Sequence, residues 1–232
     1  MPLPHLLDIN TVFFTFLNYP MSYLEFFGTV FNIWCVWLTA KGRISSWGVG
    51  IVGIVLYLFL FYQIQLYSDM VEQIYFLVMS FVGWWLWLHP RSDSERAPDK
   101  RLRIGKSGWR TSLAYAAIIV AGTLAMGALM SRIHLLLPRF FPEAASFPYL
   151  DAFTTVMSFA ATVLMAKKKV ECWYLWILVD IIGIGLYYAK GVKFISLEYL
   201  VFLVLATKGL LEWQAQLRGY AAARIRPAEA AA

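Results

Sequence analysis

Charge is scarce in this 232-residue chain, at 15% Asp, Glu, Lys and Arg, and so are the residues that build metal and redox centres, with three histidines and two cysteines. So little charge excludes a disordered tail and a nucleic-acid-binding module. His5, His89 and His134 show no ligand-type spacing, and Cys35 and Cys172 lie within or beside apolar runs, so neither a metal site nor a disulfide framework is expected. No nucleotide-binding glycine loop, nucleophile triad or pair of catalytic carboxylates can be read, which sets aside an enzyme, a bound cofactor and ATP-driven transport by this chain alone. What the chain has in excess is apolar surface, with 60% hydrophobic residues, 17% aromatics and a mean hydropathy of +0.63. A soluble fold would have about half its residues apolar, so the excess faces lipid.

A bilayer core of about 30 Å takes about 20 apolar residues of helix. Seven runs qualify, at 21–39, 47–62, 70–88, 109–130, 149–166, 173–188 and 194–213. Ahead of them, Leu6, Ile9, Phe13, Phe16 and Leu17 alternate with Asp8, Asn10, Thr11 and Thr15, which predicts an interfacial amphipathic helix over 1–20, ending near Pro20. It has neither the basic start nor the small-residue cleavage site of a signal peptide. Residues 89–108 form a basic loop and 215–232 a tail, whose end over 221–232 is Ala-rich and expected to fray. Counting Lys and Arg with the amino terminus outside puts 15 in the inward segments against four outside, with Lys208 inside a span. The positive-inside rule then predicts a multi-pass protein with its amino terminus outside and its carboxyl terminus cytoplasmic.

At a constant offset of 126, residues 26–87 align without a gap on 152–213 with 16 of 62 identical, including Thr29/Thr155, Ala40/Ala166, Trp47/Trp173, Glu72/Glu198, Gly83/Gly209 and Trp87/Trp213. Chance would give roughly four or five. Each copy holds three spans, so the single span 109–130 between them restores a common orientation. The predicted fold is an all-α membrane protein of seven transmembrane helices: a first three-helix repeat (21–88), a linker helix (109–130) and a second, parallel repeat (149–214). Parallel repeats are a transporter architecture, with a substrate site near the midplane and access alternating as the halves rock; duplication also builds scaffolds.

In the sixth span Trp173, Trp176, Asp180, Gly183 and Tyr187 are three or four residues apart and share one helical face. Asp180 lies about nine residues, or roughly 13 Å, inside the span. A carboxylate at that depth marks a pathway or site by default, and rings one turn away favour a flat cation. The bland alternative is an Asp that caps backbone or pairs with a buried cation. Its repeat mate is Ile54, so the fold plan does not require the acid. Lys208, mated to Val82, is the candidate partner, with snorkelling to the cytoplasmic surface as the alternative. In the third span Gln73, Phe76, Ser80 and Trp84 share a face mirrored by Tyr199, Phe202, Ala206 and Leu210. Amide, hydroxyl and ring suit a sugar-bearing aromatic ligand, and equally they glue helices. Glu72 and Glu198, kept in both copies, point to a structural job such as helix capping. Gln63 and Gln65, beside Tyr67, are read as flanking the outer entrance.

The run Phe61-Tyr62-Gln63-Ile64-Gln65-Leu66-Tyr67-Ser68-Asp69, followed by Gln73 and Gly83-Trp84-Trp85-Leu86-Trp87, resembles the first half of the PnuC vitamin transporters. Trp173-Tyr174-Leu175-Trp176, Val179-Asp180, Tyr187, Lys190-Gly191, Leu197-Glu198-Tyr199, Gly209 and Trp213 resemble the second half. The resemblance implies uptake of nicotinamide riboside, an NAD precursor, across a bacterial inner membrane through a fold similar to full-length SWEET sugar transporters. It further implies facilitated diffusion, a cytoplasmic kinase that traps the substrate by phosphorylation, and, by analogy alone, a homotrimer. Its Trp-x-x-Trp pattern carries Trp173 and Trp176 to the ligand. On this reading Trp173, Trp176 and Tyr187 hold the ring, Asp180 answers the pyridinium charge, Gln73 and Tyr199 bond the ribose, and Ser80, Trp84 and Lys208 complete the substrate-binding set. Ser80, Val82 and Lys208 depart from the family's usual residues, and the first alternative substrate is thiamine, also cationic and aromatic, or another vitamin carried in the family, such as riboflavin. A non-transporting receptor or scaffold is the second alternative.

Overall fold

The computed structural model describes residues 5–16, 19–64, 67–90, 92, 95, 97, 100–137, 139, 147–189 and 193–229. A 3-10 turn at His5–Leu7 and a hairpin of β1 (Val12–Phe16) and β2 (Tyr19–Ser22) lead into helices α1 (Tyr23–Ala40), α2 (Ser45–Gln63) and α3 (Tyr67–Leu88). Then follow α4 (Trp109–Met130), a short α5 (Ile133–Leu136), α6 (Pro148–Ala166), α7 (Glu171–Ala189) and α8 (Lys193–Glu229). Helices α2, α3, α4, α6, α7 and α8 are each long and apolar enough to cross a membrane. The 18 residues of α1 include Glu25 and Asn32.

Among the described residues of 1–20 the expected interfacial helix does not form. Asp8 Oδ1 accepts from both the backbone and the side-chain amide of Asn10, at 2.9 and 3.0 Å, closing a local turn where a helix would have to propagate. The β-branched and aromatic run Val12–Phe16 then pairs antiparallel with a strand containing Pro20, which no helix interior accommodates. The apolar residues still find a shared surface, because Phe13 and Phe14 pack on Phe26 and Phe27 of α1. Ser22 and Glu25 form a capping box that starts α1, and Tyr19 Oη donates to Glu25 Oε1 at 2.6 Å. Partial burial, then that carboxylate, push the Tyr19 phenol above its usual range, so it remains the donor. Gln63, read from sequence as an entrance residue, ties the same segment down: its Nε2 donates to Leu7 O at 2.7 Å and its Oε1 accepts from Ile9 N at 3.0 Å. Gln65 lies outside the described residues.

The six helices of the two repeats form a ring. Within each half, α1, α2 and α3, or α6, α7 and α8, pack in chain order, and the ring closes where α3 meets α6 and α8 meets α1. Each of these contacts maps onto another under the 126-residue offset. The end that carries the basic loops shows the correspondence atom by atom. Trp87 Nε1, at the end of α3, donates to Met165 O at the end of α6, and Trp213 Nε1, its mate in α8, donates to Thr39 O, the mate of Met165, at the end of α1. Both distances are 3.2 Å, and both bonds run from one half to the other. The turns beyond α1 and α6 also match: Gly42 and Lys168 are mates, and both adopt left-handed φ, 64° and 53°.

Between those bonds the four tryptophans kept in both repeats make a plug. Trp47 meets Trp87, Trp87 meets Trp213 and Trp213 meets Trp173 at centroid distances of 5.3, 6.2 and 5.5 Å. Gly83 and Gly209, also mates, leave room for the rings of Trp47 and Trp173; a Cβ at Gly209 would sit 2.6 Å from the latter. The basic loop clamps the plug from below. Leu102 N–H donates to Trp87 O, Gly105 pairs with Lys169, and Lys168 Nζ lies 4.4 Å over the Trp87 ring while donating to Leu102 O.

One element breaks the symmetry. Helix α4 packs on α6, with Gly122 against Val156 and Gly127 against Tyr149. No described helix covers the equivalent face of α1; the hairpin reaches only its start, at Tyr23 and Phe27, and Val30, Trp34 and Trp37 are exposed. Helix α8 is also longer than expected, at 37 residues, and stays helical through Glu229 where composition predicted fraying. Ala and Arg are strong helix formers, and the Arg103 guanidinium lies 3.9 Å over the Tyr220 ring, fixing the overhang to the basic loop.

Candidate substrate site

Above the plug, α3, α6, α7 and α8 converge on one polar group. Asp180, in the second turn of α7 above Trp173, is 3% exposed. Among the described residues it takes no hydrogen bond and no ion pair. A carboxylate removed from water without a partner is costly in any fold, and more so in lipid. Trp176 lies one turn below it and Gly183 one turn above. The glycine admits the Tyr199 ring from α8, which comes within 2.6 Å of where a Cβ would be. Tyr199 in turn stacks on Tyr187 at 5.3 Å and meets Phe202 at 6.3 Å. From the other half, Phe76 reaches Trp176 at 6.4 Å and shares Phe159 of α6 with Tyr75. Gln73 and Ser80, one turn to either side of Phe76, are buried on the same face of α3. Asp180 thus lies beside aromatic side chains contributed by both repeats, which together outline a candidate cleft. The Trp176 Nε1 is buried and has no partner among the described residues, so a donor is left one turn from the carboxylate.

A belt of bonds between the halves stands toward the opposite end from the plug. Tyr57 Oη of α2 donates to Glu198 Oε2 of α8 at 2.6 Å and, having given its one proton, accepts from Thr29 at 2.8 Å. The mates of Thr29 and Glu198, Thr155 and Glu72, also face each other. Tyr187 Oη donates to Asp69 Oδ1 at 3.1 Å, joining α7 to α3. The shared structural role read for the two glutamates therefore takes the form of bonds between repeats, in place of helix caps. Glu198 Oε1 is left buried without a partner among the described residues.

Of the residues picked from sequence, Asp180, Trp176, Tyr187, Tyr199, Gln73 and Ser80 come together in or beside this cleft. Three do not. Trp173 is 1% exposed and belongs to the plug, because its ring is committed to a T-shaped contact with Trp213 and to the space left by Gly209. Trp84 is 37% exposed and lies against Gly48 on the outer side of α2 and α3, since four residues beyond Ser80 overshoot the inward face. Lys208 is exposed in a groove with Trp37 and Lys41 of α1, away from Asp180. Tyr57, Asp69 and Phe159 were missed. Tyr57 is mated to Gly183, so the repeat comparison, which marks positions where the halves differ, could have found it.

Against known proteins, the sequence profile of the family described as nicotinamide mononucleotide transporter matches residues 22–215. The chain belongs to that family. The span matched in this family runs from the capping box of α1 to the plug tryptophan Trp213 and takes in the cleft. Relatives include the nicotinamide riboside transporter PnuC of Escherichia coli, 28% identical over 84% of this chain and 87% of its own length. The PnuC of Neisseria mucosa is 29% identical over 89% of this chain and 77% of its own length. The riboflavin/roseoflavin transporter RibM of Streptomyces davaonensis is 22% identical over 88% and 91%. A crystal structure of the vitamin B3 transporter PnuC superposes with a TM-score of 0.63 over 84% of this chain and 82% of that one, at 24% identity, so the two share the fold. The protein is accordingly a multi-pass membrane protein of a transporter family.

Proposed function

We propose that the chain carries nicotinamide riboside into a bacterial cell by facilitated diffusion. The observation that carries the reading is the buried, unpartnered Asp180 in an aromatic cleft. Nicotinamide riboside is a flat monocation, and a pyridinium ring against Trp176 and Tyr199 gains both cation–π contact and attraction to the carboxylate. The names of the Escherichia coli and Neisseria relatives support that substrate. The flavin carried by the RibM relative is uncharged and would leave Asp180 without a counterion, which favours the cation. On this reading Gln73, Tyr199 and the free Trp176 N–H serve the ribose hydroxyls, and Ser80 lines the cleft.

The seven spans are α1, α2 and α3, then α4, then α6, α7 and α8, with the amino terminus outside and the basic loops cytoplasmic. The two layers of bonds between the halves bracket the cleft and supply an alternating cycle. Parting Trp87 from Met165 and Trp213 from Thr39 opens the plug to the cytoplasm; parting Tyr57 from Glu198 and Tyr187 from Asp69 opens the outer side. Either opening is a rigid-body rocking of one half on the other. Phosphorylation by a cytoplasmic kinase then removes the substrate from the equilibrium and makes uptake one-way.

Proteoliposomes containing the purified protein test the function. Entry of labelled nicotinamide riboside should saturate and equilibrate without an ion gradient or ATP. Competition by thiamine at lower concentration than nicotinamide riboside itself would reassign the substrate, and saturable binding without entry would make the protein a receptor.

A further inference from the structure

A groove of about 400 Å³ opens between the ends of α1 and α8, lined by Trp37, Ala40, Lys41, Leu205, Lys208, Leu211 and Glu212. Two ammonium groups and one carboxylate leave it with a net charge of +1. Among the described residues neither lysine forms an ion pair, with Glu212 or any other acid, and Lys41 Nζ rests 5.0 Å over the Trp37 ring. Two cations on the wall of one groove repel each other until an anion joins them.

The pseudo-symmetric position shows that this is not a by-product of the duplicated fold. The mate of Lys41 is Lys167, whose Nζ donates to Tyr115 Oη of α4 at 3.3 Å. The mate of Lys208 is Val82, so that side has one lysine, already engaged, beneath a covering helix. A lysine pair occurs only where α4 leaves the ring bare. Lys208 lies about five residues, or roughly 8 Å, short of the plug residue Trp213, within reach of the headgroup level for a snorkelling lysine. Along the bilayer from the groove run the exposed apolar faces of both helices, Trp34 and Val30 on α1 and Val204 and Leu200 on α8.

We propose that this groove binds the phosphodiester headgroup of an anionic phospholipid, with Lys41 and Lys208 on the phosphate oxygens and the acyl chains along α1 and α8. A phosphodiester carries one negative charge, matching the net +1. The furrow below accepts hydrocarbon, which no soluble anion has. Basic pockets between helices on the cytoplasmic side of a membrane are suited to such headgroups.

Native mass spectrometry of the full chain in mild detergent, with equimolar phosphatidylglycerol and phosphatidylcholine, reads the site directly. The wild type should retain one phosphatidylglycerol with a preference of about tenfold. Lys167→Gln should keep that preference, whereas Lys208→Gln and the double Lys41→Gln/Lys208→Gln variant should lose it while still binding nicotinamide riboside. The proposal is overturned by a wild type without preference, which needs no variant to fold. It is equally overturned by a preference that survives in Lys208→Gln, or by displacement of the lipid by millimolar glycerol 3-phosphate or inorganic phosphate, which would mark a site for a soluble anion.

Discussion

Replacing Asp180 by Asn keeps the shape of the side chain and removes its charge, and the structure lets the effect be sized. The carboxylate is 3% exposed, so solvent screens it little, and among the described residues no cation competes for it. With the pyridinium about 5 Å away and an effective dielectric of about 20, the attraction is about 3 kcal/mol. That corresponds to roughly a hundredfold in Kd. Calorimetric titration of both proteins with nicotinamide riboside and with its uncharged dihydro form separates charge from shape. The variant should bind the cation roughly a hundredfold more weakly and the neutral form within about threefold of wild type. It should also melt at a higher temperature without ligand, because an unpartnered buried carboxylate is removed. Equal losses for the two ligands, or no loss for either, would refute the assignment of Asp180 as a counterion.

Other expectations concern the two bonded layers. Trp213→Phe removes donations to Thr39 O and Ala40 O and should cost about 1–3 kcal/mol, read as a lowered Tm in detergent with ligand affinity unchanged. Gly209→Val forces a methyl-bearing Cβ against the Trp173 ring and should destabilise by about 1–3 kcal/mol, whereas Gly185→Ala, with nothing within 4 Å of its new Cβ, should be neutral in the same assay. Tyr57→Phe strands Glu198 without its donor; transport should slow and Tm fall, and adding Glu198→Gln should recover part of the Tm.

Much of the architecture could be read because its cause is additive over many residues. Runs of about 20 apolar residues and the 126-residue repeat average out local accidents, and α2, α3, α4, α6, α7 and α8 fall where those runs are. The hairpin was missed because 12 residues of mixed polarity carry too few periods to separate a helix from a strand, and a single Asp8–Asn10 turn decided it. Periodicity placed Trp173 and Trp176 on one face of α7, yet it says which residues share a face and nothing of what that face meets at each depth. The repeat held the missing information. Trp47/Trp173, Trp87/Trp213 and Gly83/Gly209 are kept in both halves because the same packing is made twice. Asp180, Trp176, Tyr57 and the Gln73/Tyr199 pair differ between halves, and they line the cleft or its rim. For Lys208 the sequence left pairing with Asp180 and snorkelling both open, because a charge within an apolar run can be placed only once the helix's bare side is known.

The ring is nearly two-fold, but Asp180 has no acidic mate in the other half. A dimer of identical three-helix units would build the same plug and the same outer belt, and it would place Asp180 opposite a second copy of itself across the axis. Two unscreened carboxylates facing each other would either share a proton or demand a dication. With Ile54 at the equivalent position, the duplicated chain presents one carboxylate at this level of the ring, whereas Glu72 and Glu198 recur in both halves nearer the other end. Fusion of the halves thereby permits a one-sided charge at that level, which a symmetric assembly of identical units could not hold.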